Sequence, residues 1–530
     1  MFAYLSRLFH TLRYIKGIQW YYQLWYRIKS RFISIHWYNK YLNESLSSID
    51  IEVTYILQSK QKEYLGNNSF ELIGLKQIFE DTIDWNYQGH GKLWNYHLQY
   101  FGYLLDENIP SEERFRLLKN FSEQLLSGSI KPEPYPVSLR VVNTLLFHSR
   151  YPIKDKIILE ALFKQIDYLA NNLEYHLLAN HLLENAFSLF ISSIYLANKQ
   201  LFEKSKKLLI AQLEEQVLGD GGHYECSPMY QSVLLSKLFI CIEVGRKATW
   251  VTDEIVTFLE SKASQMLGWI NAYSFPDGSW ALMNDAAEQV APTSQSLNDA
   301  AKILKISSAN TRLTVSGFRK MCGNDWELLI KTGAVQPSYQ PGHVHADITS
   351  YCLWYKGKQI IVDRGISTYA VSAQRNEERA TRSHNTISFN NYNQSDVWGG
   401  FRVGKRAEVN MLEDSDTSIH ISVKQYFNSN CIHARKFSKI DEYNFVIEDK
   451  IYAPASFMNK CNGRIQFASN IPVAFTDDLH SLDNMTIKLM GLYQGVIGKK
   501  SYAVSYHNLK NGFCFEYVAQ PDSSFTFTFS

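Results

Sequence analysis

The segment GHVHAD, Gly342 to Asp347, places His343, His345 and Asp347 at a strict spacing of two. On an extended strand that spacing turns all three side chains to one face. Two imidazoles beside a carboxylate suit proton transfer or metal binding, and they make a poor core, because a buried polar group without a partner is costly. The competing reading is a solvated strand face. Asp363 in IIVDRG and His384 in RATRSHNT, which also carries Arg379, Arg382 and Asn385, join His345 to supply two nitrogens and a carboxylate, a donor set for zinc. A hairpin turn at Gly357 and Lys358 would pair Asp363 near Cys352, several residues short of His345. A shared metal therefore asks the GHVHAD segment to fold back over the strand ends.

Three other segments carry chemistry. In LANHLLENAFSLF, Asn180, His181 and Glu184 front an apolar helix, with His181 and Glu184 as i, i+3 neighbours, so the carboxylate would orient or charge the imidazole. A hydrogen-bonded core histidine is the alternative. In DGGHYECSPMYQ, residues 220–231, Asp220 to Gly222 mark a turn, and Ser227 and Pro228 read as N-cap and first helical position. That places Tyr230 in the first turn, projecting into a cleft or packing as an ordinary tyrosine, with Glu225 as a carboxylate behind it. In FPDGSWALMNDAA, Asp277 reads as turn chemistry, while Asn284 and Asp285 are expected to line the cleft.

The elements that must position these residues fall into two textures. Apolar residues recur at three and four over candidate helices 94–106, 111–127, 137–150, 155–171, 178–197, 199–217, 228–246, 250–272 and 293–304. Short loops between them predict antiparallel packing in a helical array or toroid. After about residue 323 come short runs rich in Val, Ile, Thr, Tyr and Phe, such as Gln359 to Val362, His420 to Val423, Phe445 to Ile447 and Phe525 to Phe529, spaced as in an all-β sandwich. The expected organisation is α+β and multidomain: an N-terminal segment 1–55, a helical domain 56–322 and a β domain 323–530.

Residues 1–43 contain no Asp or Glu, while Arg7, Arg13, Lys16, Arg27, Lys29, Arg31 and Lys40 alternate with Trp20, Tyr21, Tyr22, Trp25, Tyr26 and Trp37. This reads as a helix docked on the first domain, with peripheral contact to an anionic membrane surface as the alternative. The rest of the composition excludes more than it assigns. The net charge of +2 and the lack of a long basic tract argue against nucleic acid. Seven scattered cysteines without a CxxC pair read as reduced core residues. No secretory signal or apolar run of spanning length is seen, so a cytoplasmic or envelope-associated location is expected. Aromatic content of 14% suits a cleft in which rings stack on sugars.

NHLLEN, DGGHYECSPMY, PDGSWALMNDA, GHVHAD, IIVDRG and SHNT, in that order, resemble the signature segments of the heparinase II/III family of polysaccharide lyases, and WNYHLQYF and PYPVSLR upstream are similar to its toroid domain. The resemblance implies an incomplete α/α toroid followed by an antiparallel β-sandwich, with the cleft between them. It implies cleavage of a uronic-acid polysaccharide by β-elimination: C5 loses a proton, the C4 oxygen departs, and the uronate carboxylate is neutralised meanwhile. Carried over, Asn180 binds that carboxylate beside His181, a second donor or a base with Glu184 as partner; Tyr230, ahead of Tyr224, is the acid or both acid and base, and His343 the opposite base. Arg140 and Asn284 count as substrate contacts, and His345, Asp363 and His384 as the ligands of a structural zinc found in some members, with Asp347 left as a local orienting group. No organic cofactor is implied. The acidic polysaccharide would belong to capsule or cell-envelope metabolism, and the oligomeric state stays open. The other readings are a non-catalytic glycan-binding or assembly protein at the membrane face, and a glycoside hydrolase using Glu184, Glu225 or Asp285.

Overall fold

The computed structural model describes residues 2–32, 40–41, 44–53, 57, 62–458, 460–469, 473–475, 479–481 and 485–529. Two helices, α1 (Phe2–Leu12) and α2 (Gly17–Phe32), open the chain. A small antiparallel sheet follows, β1 (Tyr64–Gly66), β2 (Ser69–Leu72) and β3 (Leu75–Ile78). Then come α3 (Lys92–Tyr100), α4 (Ser111–Leu126), α5 (Pro134–Arg150), α6 (Lys156–Ala170), α7 (Ala179–Tyr195), α8 (Lys199–Gln216), α9 (Pro228–Lys247), α10 (Asp253–Tyr273) and α11 (Ser294–Ile303). These match the periodic segments of the sequence to within a few residues, save the first. There Phe101 takes a left-handed conformation (φ 65°) that ends α3, and a short 3-10 turn, Gly102–Leu105, completes the run.

α7 is the hub of the helical half: it packs against α5, α8 and α9, and all its residues are buried except His181. A helix buried on nearly every side belongs inside a helical layer. Its one less-buried side chain therefore marks where the layer opens.

The sheet half begins at β4 (Phe318–Cys322), β5 (Trp326–Lys331), β6 (Tyr351–Tyr355) and β7 (Lys358–Ile361). Asp220 ties the junction: its carboxylate accepts from the Thr314 and Ser316 backbone amides at 2.8 and 3.0 Å and from the Ser316 hydroxyl at 2.7 Å. After a helix α12 (Ala373–Glu378) come β8 (Ile387–Phe389), β9 (Val397–Trp398), β10 (Arg402–Val403), β11 (Glu408–Asp414), β12 (Ser418–Lys424), β13 (Ile432–Lys439), β14 (Asn444–Tyr452), β15 (Cys461–Phe467), β16 (Val473–Phe475), β17 (Leu479–Ser481), β18 (Met485–Ser505) and β19 (Asn508–Phe529). Every pairing is antiparallel, in the order β11-β12-β13-β14-β19-β15-β7-β6-β5-β4. β19 changes partner along its length: residues 513–518 pair with β15 and residues 522–528 with β14, while β18 flanks both halves. The sheet turns its corner there and curls around its own apolar core into a sandwich. The architecture is thus a helical toroid followed by an antiparallel β-sandwich.

Two sequence expectations change. The β6–β7 turn is Lys356–Gly357, both at positive φ, so Leu353 pairs with Ile361. And GHVHAD is not a strand. It lies in the long β5–β6 connection, where its backbone bonds elsewhere: His343 O accepts from Asp285 N (3.0 Å), His345 N donates to Asn284 Oδ1 (3.2 Å), Val344 O accepts from Arg379 and Ala346 N donates to Arg379 O (3.0 Å). With those groups engaged, no ladder forms.

Of the seven cysteines, six are buried as expected; Cys322 is exposed. The N-terminal helices dock as the sequence suggests. Tyr22 stacks on Tyr175 at 4.7 Å and Gln19 Nε2 donates to Leu177 O, while on α1 Arg7 pairs with Asp396 and Tyr4 meets Trp398 edge-on. Trp37 and the side chain of Arg31 lie outside the described residues.

Candidate active site

A cleft of about 950 Å³ opens between the toroid and the sandwich, lined on the helical side by Tyr100, Tyr135, Asn180, His181, Glu225 and Tyr230, and from the other side by His343, Tyr369, Phe401 and Tyr506. Its helical floor is built on strained backbone. Leu178 (φ 61°), Ala179 (φ 53°) and Cys226 (φ 56°) are non-glycine residues in left-handed territory, each costing about 1–3 kcal/mol. The first two start α7 and present Asn180 and His181 at the cleft.

The carboxylate that holds His181 is not Glu184. Nδ1 of His181 lies 3.0 Å from Oε1 of Glu174, and Asn185, four residues on along α7, fixes that carboxylate by donating to Oε2 at 3.0 Å. Burial works against a charged imidazole, but Glu174 outweighs it and holds the His181 pKa above its ordinary value. Asn180 donates its amide to both oxygens of Glu225, at 3.1 and 2.9 Å. Burial raises the Glu225 carboxyl, with His343 and the Asn180 amide pulling the other way.

Ser227 caps α9 and Pro228 takes its first position, so Tyr230 sits in the first turn as the sequence predicts. Its ring stacks on His343 with centroids 4.0 Å apart, and its hydroxyl lies 3.2 Å from that of Tyr369. Burial pushes the Tyr230 phenol well above its usual pKa, so it stays protonated. Coming from opposite walls of the cleft, the two rings are in direct contact.

His343 is oriented by Asp285. Nδ1 lies 2.8 Å from Oδ2, so a neutral imidazole donating there turns an unprotonated Nε2 outward. The same carboxylate meets His345 Nε2 at 2.9 Å and accepts from both terminal nitrogens of Arg375 at 2.5 and 2.6 Å. Burial opposes ionisation of Asp285, yet the Arg375 charge and the histidine bonds hold it well below the usual carboxylate range. Asp285 thus joins the cleft histidine to the site behind it.

Behind it, one ligand atom each from His345, Asp363 and His384 lies within 4.8 Å of the others, all three residues being buried. Asp363 receives His384 Nδ1 at 3.0 Å. Among the described residues, Nδ1 of His345 and Nε2 of His384 have no hydrogen-bond partner, nor has either carboxylate oxygen of buried Asp347. Asp347 therefore orients no group by a hydrogen bond, contrary to expectation, though its charge joins that of Asp363 in raising the His384 pKa against burial. Two orphaned imidazole nitrogens beside a carboxylate fit a zinc ion. The Asp285–His345 bond is the outer support such a ligand ordinarily has.

Three proposed substrate contacts do not reach the cleft. Arg140 is buried against Gln165 Oε1 (2.6 Å), Gln99 O (3.0 Å) and the face of Phe121, because PYPVSLR turns it inward from α5. Glu184 is buried in the interior of α7, where burial pushes its carboxyl up to about 7. Asn284 (φ 57°) is a backbone tie, donating to Cys226 O at 2.7 Å and accepting from His345 N. Tyr224 hydrogen-bonds Tyr339 rather than lining the cleft, and Asp277 closes its turn on Ser279, as read. Sequence reasoning missed Glu174, Arg375 and Tyr369. Glu174 lies on a loop with no periodicity to flag it. Asn185, by contrast, stands at i+4 from His181 within NHLLEN and was there to be seen.

The architecture is thus a toroid and a sandwich enclosing a cleft in which a tyrosine stacks on a carboxylate-held histidine. Family comparison completes the assignment: the model described as Heparinase II/III N-terminus matches residues 155–312 and that described as Heparinase II/III-like, C-terminal, residues 306–488. The chain belongs to the heparinase II/III family. A heparin-sulfate lyase of Bacteroides stercoris is 24% identical over 268 residues, a match covering 45% of this chain and 38% of that protein. A crystal structure of heparinase III superposes with a TM-score of 0.66 at 13% identity, covering 92% of this chain and 88% of that one. The heparan sulfate lyase HepC from Pedobacter heparinus gives 0.56 at 16%, covering 88% and 82%. At such identities the likeness concerns the fold.

Proposed function

We propose that this cleft cleaves a uronic-acid polysaccharide by β-elimination. The observation that carries the reading is the stack of Tyr230 on His343, with Nδ1 of His343 held by Asp285. His343 Nε2 takes the C5 proton, the released electron pair forms the C4–C5 double bond, and the C4–oxygen bond breaks as Tyr230 donates its phenol proton to the departing oxygen. In sum one proton moves from C5 to the leaving group. Because acid and base stand side by side, both act from one face of the sugar, a syn elimination. His181, whose protonated form Glu174 favours, then donates to the uronate carboxylate and offsets its charge as the carbanion develops. Asn180 joins it by exchanging one of its two bonds to Glu225, whose raised carboxyl favours the neutral form that tolerates an approaching anion.

We assign a structural zinc to His345, Asp363 and His384, where it would brace the connection that carries His343. The acidic polymer we favour is a capsule or cell-envelope glycan. The test is incubation with a panel of uronate polymers, including such glycans, read by the ultraviolet absorbance of the new double bond. Reducing ends without absorbance would point to hydrolysis, and neither signal across the panel would overturn the reading.

A further inference from the structure

The N-terminal helices present an apolar face outward. Among the described residues 23 large apolar side chains are exposed, and nine of them fall between Tyr4 and Ile28. On α2 they are Ile18, Trp20, Tyr21, Leu24, Trp25 and Ile28, from 42 to 63% exposed, which share one side of a helix at 100° per residue. The opposite side is the docked one. Gln19, Tyr22 and Tyr26 bond or stack on Leu177, Tyr175 and Leu173, and Lys29 reaches Asn171 O and Asn172. α2 thus reverses the usual surface helix, with its more polar and hydrogen-bonding side on the protein and its apolar side toward solvent. On α1, Leu5 and Phe9 are likewise 50 and 63% exposed.

The charge beside this face is positive. No Asp or Glu occurs in residues 1–43. Next to α1 and the turn that leads into α2, a cavity of about 200 Å³ is lined by His10, Arg13, Lys405, Arg406 and Lys424, with Glu408 its single carboxylate, already paired to Lys424. Among the described residues, buried Nδ1 of His10 and Nε of Arg406 have no hydrogen-bond partner, while a terminal nitrogen of Arg406 donates to Ser338 O at 2.5 Å. A wide apolar stripe carrying tryptophans, with the basic side chains of Arg13, Lys405 and Arg406 grouped beside α1, is complementary to acyl chains beneath anionic headgroups. No helix among the described residues is long and apolar enough to cross a bilayer, so such contact would be in the interfacial plane.

We propose that α1 and α2 seat this protein on an anionic lipid surface, with headgroup phosphates received by the cavity of Arg13, Lys405 and Arg406. α2 rests on residues 171–177, the segment that supplies Glu174 to His181, so the lipid-bound face lies directly behind one wall of the cleft.

The test is sedimentation of the full chain with vesicles of phosphatidylcholine alone or mixed with phosphatidylglycerol. Binding is expected on the mixed vesicles, at least about tenfold stronger than on neutral ones and weakened by salt. Substituting Leu24→Ser, Trp25→Ser and Ile28→Ser together should weaken it about a hundredfold, and Arg13→Glu with Lys405→Glu at least about tenfold. All five positions are outside the cleft, so circular dichroism and melting should match the parent. Absence of parental binding to the mixed vesicles, or equal binding by the triple variant, would overturn the proposal. So would a concentration-dependent dimer that the triple substitution abolishes, which would assign the face to a second copy.

Discussion

Asp285→Asn removes one charge from the centre of the site while keeping the shape of the side chain. Asp285 is fully buried, and its two oxygens receive both Arg375 nitrogens and one nitrogen each from His343 and His345. With the charge gone and one amide oxygen replacing two carboxylate oxygens, the fully buried Arg375 guanidinium loses its counter-charge and one of its two bonds, keeping the other beside Gly400 O at 3.1 Å and the faces of Tyr369 and Phe401. Stranding a buried charge in this way costs about 3–5 kcal/mol. His343 simultaneously loses the acceptor that selects its tautomer, and loss of an orienting carboxylate behind a catalytic base lowers kcat by about 10²–10⁴-fold. The two effects separate in a second variant. Asp285→Asn combined with Arg375→Met removes the orphaned cation, so stability in urea should largely recover while the rate does not. Initial rates of double-bond absorbance and urea unfolding midpoints measure the two quantities. If the single variant keeps parental kcat while losing stability, or if the double variant regains the rate, Asp285 is a structural ion pair and the assignment of His343 as base fails.

Tyr230→Phe should lower kcat by about 10²–10⁴-fold while changing stability by only about 0.5–1.5 kcal/mol, the worth of its bond to Tyr369; parental turnover would remove it as the acid. Glu174→Gln should lower the His181 pKa, since Glu174 is what raises it. The folded value lies above the unfolded one, so the contact stabilises the protein fully below the ordinary histidine pKa and is lost as pH rises through the raised value. The alkaline limb of kcat/KM should therefore move to lower pH, and an unmoved limb would exclude His181 as the carboxylate's partner. Metal analysis of the purified chain should find zinc, and His384→Ala should abolish it and lower the thermal midpoint; a parental chain without metal at equal stability would refute the zinc assignment.

Much of this protein is legible in one dimension. The helices of the toroid follow from apolar periodicity because each must bury one face, and Ser227 with Pro228 placed Tyr230 in the first turn of its helix by capping chemistry alone. The strands read similarly, since a sandwich strand alternates between core and solvent. These are local consequences of local residues.

The partners within the site were decided by the tertiary structure, because they join different elements, most of them distant in sequence. His181 takes its carboxylate from a loop seven residues upstream rather than from the i+3 glutamate, since that glutamate turns into the interior of α7. Arg140 looked like a carboxylate fork and is a buried tie, as its side chain faces inward from α5. The alternation of His343, His345 and Asp347 suggested a strand face, yet Asn284 and Arg379 claim the backbone between them. That displacement brings both histidines onto Asp285 and leaves Asp347 without a partner. Spacing in the sequence named the groups capable of chemistry; the carboxylate that orients each histidine was set by packing between the two halves of the chain.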